Sequence, residues 1–324
     1  MRSALLSLAI LALHAGAAEF PHAEISNAKI KASLYLPDRD QGYYRGGRFD
    51  WSGVISKLEY AGHNYFGVWF PHYNPELHDA ITGPVEEFRS ADGALGFAEA
   101  PAGDLFVKIG VGVLRKPDNE PYQFARHYQI VGTGQWILRP HPDRFEFVQE
   151  LHGVRGYSYL YSKTVRLAGN KPELILEHRL KNVGKRAIET EVYNHDFYVI
   201  DDQPTGPDFK VSFPFPLTAK DPLKDTAEVL GNEFHYKREL KANHDSAATY
   251  LTGYGSSAKD NDIRVEDSKV GAGVEEIGSL PISKLYLWSI RTTVCPEAYV
   301  ALTIPPGKTA SWRITYRFYT LPRK

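Results

Sequence analysis

A histidine with polar residues on both sides lies inside a segment that otherwise has the composition of a β-strand. The segment ETEVYNHDFYVID (Glu189–Asp201) is rich in β-branched and aromatic residues, yet it carries Asn194, His195 and Asp196 in a row. Because the unperturbed pKa of histidine is about 6.5, its imidazole is well suited to gain and release a proton near neutral pH. Either the polar row lies at a solvated edge, or a site requires it.

Strand geometry separates these three polar residues. Successive side chains of a strand point to opposite faces. His195 therefore shares a face with Tyr193 and Phe197, while Asn194 and Asp196 point the other way. We expect Asn194 or Asp196 to hold a neighbouring loop, while spacing alone leaves acid–base chemistry at His195 open. The alternative for His195 is an interior or edge histidine whose hydrogen bonds are satisfied.

A second group of titratable residues raises the question of a metal site. The segment WFPHYNPELHDAITGPVEEF (Trp69–Phe88) contains His72 and His78, six positions apart, with Asp79 beside them. This spacing fits no compact metal motif, and the H-E-x-x-H pattern is absent from the sequence. The sequence also contains no phosphate-binding loop, dinucleotide fingerprint or nucleophile elbow. We therefore predict no metal and no cofactor.

The composition is that of a soluble globular protein. The chain has 324 residues, a formal net charge of −1 and 43% hydrophobic residues, which is ample for a packed core. A net charge near zero without a basic block argues against nucleic-acid binding. Because all-β folds often exceed about 200 residues as one unit, we predict a single domain over residues 19–324.

The first eighteen residues, MRSALLSLAILALHAGAA, have the pattern of a secretory signal peptide. An early arginine precedes an apolar run that ends in the small residues of an A-x-A-like cleavage site. The run is too short to cross a bilayer, and the alternative is a buried N-terminal helix. The pattern predicts a periplasmic or secreted protein without a membrane anchor after cleavage. The single cysteine, Cys295, cannot form a disulfide within the chain.

Apolar residues alternate with polar ones in several segments separated by turn sequences. The clearest are RFEFVQEL (Arg144–Leu151), ELILEHRL (Glu173–Leu180) and SWRITYRFY (Ser311–Tyr319). Only His244–Gly255 indicates a short helix. The pattern predicts an all-β fold, a large antiparallel β-sandwich of two sheets.

The order of features from Trp136 onward resembles that of a known family. Trp136 and Gly156-Tyr157 are followed by L-K-N-V-G (Leu180–Gly184) and N-H-D-F-Y (Asn194–Tyr198). The end of the chain adds a glutamate, then P-G-K-T and a W-x-x-x-Y strand. Together these motifs resemble the galactose mutarotase-like superfamily, the fold of the aldose 1-epimerases. The resemblance implies a β-supersandwich with carbohydrate bound in a cleft on one sheet.

The resemblance also implies a chemistry, the interconversion of the α and β anomers of a sugar. A general acid protonates the ring oxygen while a general base takes the proton of the anomeric hydroxyl, and the two then exchange roles. By resemblance His195 is the acid and Glu297 is the base. Glu297 stands in CPEAY, an approximate match to the family pattern. The alternative for Glu297 is a solvated turn carboxylate.

Sugar-binding residues are expected in the N-terminal half by the same resemblance. Arg48 and His72 are the candidates for hydroxyl recognition, although the family's Arg-x-x-Asn-Arg and His-Gly-Gly runs are absent. Trp51 offers a flat face for stacking, and the alternative for Arg48 is a turn fixed by Asp50. The remaining candidates to face the cleft are Glu86, Glu87 and Lys108.

Three functions agree with these observations. The first is an exported mutarotase or epimerase that acts on a free sugar or on an oligosaccharide end. The second is a carbohydrate-binding protein without turnover, and the third is a polysaccharide lyase-like enzyme. In each case the partner is a mono- or oligosaccharide. Fold alone does not decide among them, and the sequence leaves the sugar and the oligomeric state open.

Overall fold

The computed structural model describes residues 20–242 and 245–322. The predicted signal peptide lies outside the described residues, so it stays a prediction. No helix in the described ranges combines the length and apolar character that a bilayer crossing requires.

The prediction of an all-β fold is confirmed. Within the described residues, the regular structure consists of strands and one 3-10 turn at Ala258–Asp260. The strands in chain order are β1 (His22–Ser26), β2 (Ile30–Tyr35), β3 (Val54–Tyr60), β4 (His63–Asn64), β5 (Val85–Arg89), β6 (Leu105–Lys108), β7 (Gly112–Arg115), β8 (Ile130–Gly132), β9 (Gln135–Pro140), β10 (Arg144–Leu151), β11 (Tyr159–Leu167), β12 (Glu173–Asn182), β13 (Ile188–His195), β14 (Phe209–Ser212), β15 (Thr218–Ala219), β16 (Ala227–Leu230), β17 (Glu233–Tyr236), β18 (Ala247–Thr252), β19 (Asp262–Asp267), β20 (Ala272–Gly278), β21 (Lys284–Ile290), β22 (Thr293–Ile304) and β23 (Thr309–Thr320).

Two large antiparallel sheets form the sandwich. The ten-stranded sheet has the order β16-β17-β14-β19-β20-β23-β12-β11-β10-β9, and the six-stranded sheet has the order β15-β18-β21-β22-β13-β5. Side chains of the two sheets share apolar clusters, in which Val274 and Phe318 of the larger sheet join Leu287 and Val294 of the smaller. The main core therefore lies between these sheets.

Part of the N-terminal third covers the opposite face of the six-stranded sheet. Its three-stranded sheet has the order β6-β7-β8, whereas its four-stranded sheet, β1-β2-β3-β4, contributes Ala32, Leu34 and Leu58 to the main core. A second apolar cluster joins Phe49, Trp69 and Phe106 of this third to Phe197 and Cys295 near the six-stranded sheet. The six-stranded sheet is thus covered on both faces, and the space between it and the N-terminal third is where a cleft can form.

Strand alternation predicts the long hairpins correctly but fails at one segment. Strand β10 coincides with the predicted Arg144–Leu151, and β12 and β23 extend the other two predictions by a few residues. The short helix predicted within His244–Gly255 is wrong, because strand β18 occupies its described centre. There buried and outward residues alternate, a period of two that fits a sheet and not a helix.

Candidate functional site

A cavity of about 550 Å³ lies on the face of the six-stranded sheet that the N-terminal third covers. Its floor comes from two neighbouring strands, with Tyr193 and His195 on β13 and Glu297 and Tyr299 on β22. All four side chains share one face because they stand at alternate positions of their strands. Aromatic residues dominate the walls: Trp69, Phe124, Phe197, Tyr250, Tyr286 and Trp288.

The structure brings together the two residues that the sequence resemblance pairs. His195 Nε2 lies 3.3 Å from Glu297 Oε1. Both residues are buried, with 5% and 3% of their surface exposed, and both line the cavity. Tyr299 donates a hydrogen bond of 2.9 Å from its hydroxyl to the second oxygen of Glu297. Glu297 therefore lies in a strand facing the cavity, not in a solvated turn.

Aromatic rings hold the imidazole of His195 in place. The ring stacks on Phe197 at 3.7 Å between centroids and 9° between planes, and Phe197 in turn stacks on Trp69 at 4.6 Å. Phe197 has a positive φ of 45°, an unfavourable conformation for a bulky residue, directly after the end of β13. Among the described residues, Nδ1 of His195 has no hydrogen-bond partner. Packing therefore orients the imidazole.

Burial moves the pKa values of this pair in opposite directions. Burial lowers the pKa of His195 well below its ordinary value, and the nearby Arg48 acts in the same direction. Burial raises the pKa of Glu297 to about 8, against the opposing effects of Arg48 and Tyr299. At neutral pH Glu297 is therefore protonated and His195 is neutral. The site then contains one proton donor and one proton acceptor in contact.

Glu87 organises a layer of charges beside the floor of the cavity. It accepts hydrogen bonds from Arg48 Nε at 2.7 Å, from the Tyr193 hydroxyl at 2.5 Å and from Lys108 Nζ at 3.3 Å. Burial acts to raise the pKa of Glu87, but Arg48 and then Lys108 hold it below its ordinary value. Three predicted binding residues, Arg48, Glu87 and Lys108, are thus brought together. Only Arg48 is among the described residues that line the cavity.

Arg48 lies between two aromatic rings at the cavity wall. Its guanidinium carbon is 4.4 Å from the centroid of Phe49 and 4.3 Å from that of Phe124. It also donates to the Tyr193 hydroxyl at 3.1 Å. Arg48 therefore fixes the Tyr193 hydroxyl and Glu87 together, whereas the Asp50 carboxylate accepts hydrogen bonds from Ser52 and Tyr161.

The other three predicted binding residues do not line the cavity. Glu86 points to the opposite face of β5 from Glu87 and lies in the sandwich interior, because strand alternation sends neighbours to opposite sides. Trp51 is buried and donates from its indole to the Gly46 carbonyl. His72 is exposed in an irregular segment. These placements correct the prediction that Trp51, His72 and Glu86 face the cleft. The same correction applies to Glu87 and Lys108, which are buried beside the cavity and do not line it.

Arg89 and most of the aromatic wall are not predicted from the sequence. Arg89 lines the cavity two positions after Glu87, and Tyr299 stands two positions after Glu297. Register extends the floor outward, because Tyr286 pairs with Glu297 on one side and with Tyr250 on the other. Stepping by two from His195 and Glu297 along their own strands identifies Tyr193 and Tyr299, but strand order is needed for the rest.

Asn194 and Asp196 point away from the cavity, as alternation predicts. Asn194 donates to the Tyr316 hydroxyl at 3.0 Å, and that hydroxyl donates to Asp196 at 2.8 Å. They therefore bind the facing sheet, and not a loop as expected. Burial and the adjacent Glu276 raise the pKa of Asp196 well above its ordinary value, and burial raises that of Glu276 to about 7. Burial therefore favours the protonated, uncharged form of both carboxyl groups.

One histidine of the segment Trp69–Phe88 lines the cavity and the other does not. His78 and Asp79 line it, with His78 Nε2 3.9 Å from Asp79 Oδ2, whereas His72 lies outside. Within the described ranges, no three His, Cys, Asp or Glu side chains are arranged to hold a metal ion.

Comparisons with known proteins identify the fold. No protein-family model and no curated protein matches the chain. Solved structures do match it. A Synechocystis sp. PCC 6803 protein, Slr1438, has a TM-score of 0.58 at 13% identity, covering 96% of this chain and 100% of that one. A galactose mutarotase related enzyme from Lactobacillus acidophilus has a TM-score of 0.55 at 14% identity, covering 93% and 98%. A GalM/aldose epimerase homologue from C. elegans has a TM-score of 0.52 at 13% identity, covering 93% and 99%. The chain therefore has the galactose mutarotase-like fold, as the sequence resemblance predicts.

Proposed function

We propose that this protein binds a sugar in the cavity on the six-stranded sheet and interconverts its α and β anomers. The observation that carries the proposal is the 3.3 Å approach of His195 Nε2 to Glu297 Oε1 on the floor of that cavity. The matched structures described as mutarotase-related and as an aldose epimerase homologue support the same reaction class. The cavity volume of about 550 Å³ lies in the range of small-molecule sites.

The reaction needs one proton donor and one proton acceptor at the anomeric centre. The acceptor takes the proton of the O1 hydroxyl while the donor gives a proton to the ring oxygen O5. The C1–O5 bond breaks and C1 becomes a carbonyl carbon. After rotation about C1–C2, O5 attacks the other face of C1, loses its proton to the former donor, and O1 regains a proton from the former acceptor.

The charge state of the free site determines which residue begins as donor. Because burial places the proton on Glu297, Glu297 begins as the acid and His195 as the base. The sequence resemblance assigns these roles in the reverse order. Each group donates in one half of the reaction and accepts in the other, so one shared proton is sufficient for either order.

The remaining lining residues have the chemistry of carbohydrate recognition. Trp288 and Tyr286 present aromatic faces on which the apolar face of a sugar ring can stack. Arg48 and the Tyr193 hydroxyl supply polar atoms for sugar hydroxyl groups. Such sites combine apolar walls with few fixed polar groups.

Polarimetry of freshly dissolved single anomers tests the proposal. Across a panel of neutral aldoses, hexuronates, sugar phosphates and short oligosaccharides, the wild-type protein should accelerate relaxation to the anomeric equilibrium of at least one sugar. His195→Gln and Glu297→Gln should each slow that relaxation by about 10²–10⁴-fold, the usual contribution of a general acid or base. The exposed His152 provides a matched control, and His152→Gln should leave the rate unchanged.

Two results would contradict the proposal. One is the absence of acceleration for every sugar of the panel. If a sugar nevertheless binds, the protein is a carbohydrate-binding protein without turnover. The other is equal acceleration by the wild type and both variants, which would place the reaction elsewhere.

A further inference from the structure

Three cationic side chains converge on one carboxylate at the wall of the cavity. Arg48, Arg89 and Lys108 each have a nitrogen within 4 Å of Glu87. Glu87 is fully buried and already accepts hydrogen bonds from Arg48, Lys108 and the Tyr193 hydroxyl. This carboxylate therefore has little capacity for a further donor.

Arg89 is the cation that remains without a close anionic partner. Its Nε lies 3.9 Å from Glu87 Oε1, beyond hydrogen-bonding distance, and its side chain is 37% exposed. Glu191 pairs with Arg89 across the strands, but its carboxylate binds Lys284 at 2.5 Å and Ser283 at 3.0 Å. No carboxylate of the described residues lies within hydrogen-bonding distance of Arg89. The Tyr299 hydroxyl is a hydrogen-bond partner of the Arg89 side chain, and both residues line the cavity.

The other acidic residues of the cavity do not cancel the positive charge. Glu297 is protonated at neutral pH because burial raises its pKa to about 8. Asp79 is the other carboxylate among the described lining residues. Its single negative charge does not balance the two positive charges of Arg48 and Arg89. Lys108 lies behind the wall, where its positive charge offsets the negative charge of Glu87. The site therefore has a net positive charge at neutral pH.

We infer that the cavity takes a sugar bearing an acidic group, and that Arg89 pairs with that group. The inference rests on the proposal that the cavity binds a sugar, and it adds the charge of the substrate. A guanidinium binds a carboxylate or a phosphate through two parallel hydrogen bonds. A partly desolvated cation without a partner is unfavourable, and a ligand anion removes that penalty.

The spacing of residues along β13 and β5 agrees with a contact between Arg89 and the acidic group of the sugar. Across β13 and β5, His195 pairs with Val85 and Tyr193 pairs with Glu87. Residues two apart on one face of a strand are about 7 Å apart. Arg89 stands two residues after Glu87 on the same face of β5, and its Nε approaches Glu87 Oε1 to 3.9 Å. Arg89 therefore lies beyond Tyr193 from His195, on the side where it can meet a substituent of a sugar whose C1 is at His195 and Glu297.

Binding of methyl glycosides tests this inference separately from catalysis, because their rings cannot open. The probes are methyl galactoside and methyl glucoside, their hexuronate forms and their 6-phosphates, measured by calorimetry. The wild-type protein should bind at least one acidic probe about tenfold or more tightly than its neutral counterpart, the effect of a charge-assisted hydrogen bond. The acidic probe that binds most tightly, the hexuronate or the 6-phosphate, shows whether the cavity prefers a carboxylate or a phosphate.

Variants of Arg89 decide whether this residue carries the preference. Arg89→Gln should abolish the preference for the acidic probe and leave binding of the neutral glycoside within about twofold, and Arg89→Lys should restore part of it. Arg179, which is exposed on β12, provides the control, and Arg179→Gln should behave as wild type. Equal or tighter binding of the neutral probes, no binding of any probe, or an unchanged preference in Arg89→Gln would each overturn the inference. If acidic probes bind but no anomer exchanges, the proposed function fails while this inference stands.

Discussion

The proton shared by His195 and Glu297 determines how the site responds to pH. Burial favours the uncharged form of each group, so the proton resides on Glu297 up to about pH 8. The same burial keeps His195 unprotonated well below the ordinary histidine range. The pair therefore has a constant proton count across neutral pH, although an exposed histidine would titrate there.

This leads to a prediction for the pH dependence of catalysis. The enzymatic rate of anomer exchange, corrected for the uncatalysed reaction, should be constant from about pH 6 and should fall above about pH 8 as Glu297 loses its proton. The measurement is kcat/KM against pH for a neutral sugar that the protein turns over. A fall of the rate as the pH decreases through about 6.5 would mean that His195 titrates like an exposed histidine, and would contradict this charge assignment.

At the scale of elements, strand β5 sends two adjacent carboxylates into different surroundings. Glu87 lies at the cavity side, whereas Glu86 lies in the sandwich interior, bound to Lys163 and to His178 Nε2 at 2.7 Å. Burial acts to raise the pKa of Glu86, but Lys163 and then His178 hold it at about 2. This interior group ties β5 of one sheet to β11 and β12 of the other.

Removing one partner of this interior group should be costly. Glu86→Gln leaves Lys163 buried without its charged hydrogen-bond partner, and should lower the free energy of unfolding by about 3–5 kcal/mol. The double variant Glu86→Gln/Lys163→Met should recover a large part of this loss. Denaturant unfolding measures both, and Glu228→Gln, which removes a 3.9 Å surface pair with Lys237, should cost at most ~1 kcal/mol. A loss of unfolding free energy for Glu86→Gln as small as that for Glu228→Gln would contradict the prediction that Glu86 stabilises the buried Lys163.

At the scale of elements, the sequence predicts the features that the alternation of apolar and polar residues along a strand determines. The period of two identifies β10, β12 and β23 and separates His195 from Asn194 and Asp196. It does not say which strands are neighbours, so only the family resemblance pairs His195 with Glu297, about a hundred residues later. Alternation alone also cannot say which face of β5 meets the cavity, and for that reason Glu86 is misplaced. Trp51 and His72 lie in irregular segments, where no period constrains the side chain.

At the scale of the whole molecule, several buried carboxyl groups have raised pKa values. Burial raises the pKa of Asp50 and Glu276 to about 7 and that of Glu297 to about 8, and it raises the pKa of Asp196 well above the ordinary value. The folded state therefore retains protons that the unfolded chain has already lost above about pH 4. Stability should fall as pH rises through this range.

The paired carboxyl groups Asp196 and Glu276 provide the clearest test of this stability effect. The melting temperature of the wild type should fall by several degrees between about pH 5 and about pH 8. Asp196→Asn removes a carboxyl group of raised pKa but keeps an acceptor for the Tyr316 hydroxyl, so this variant should show a smaller fall. Glu87 and Glu86 have lowered pKa values, so their stabilisation is lost only in stronger acid, below about pH 4. A wild-type melting temperature that rises steadily toward pH 8 would contradict this account.

The proposed function depends on proton transfer between one sugar and the His195–Glu297 pair. Exchange NMR on an equilibrated mixture of anomers measures this directly, since cross-peaks between the two anomeric protons report interconversion at equilibrium. The account predicts protein-dependent cross-peaks for at least one sugar, neutral or acidic, with wild type and with His152→Gln. With His195→Gln and Glu297→Gln at equal concentration these cross-peaks should be absent. Cross-peaks of equal intensity with all four proteins, or none with any sugar, would contradict it.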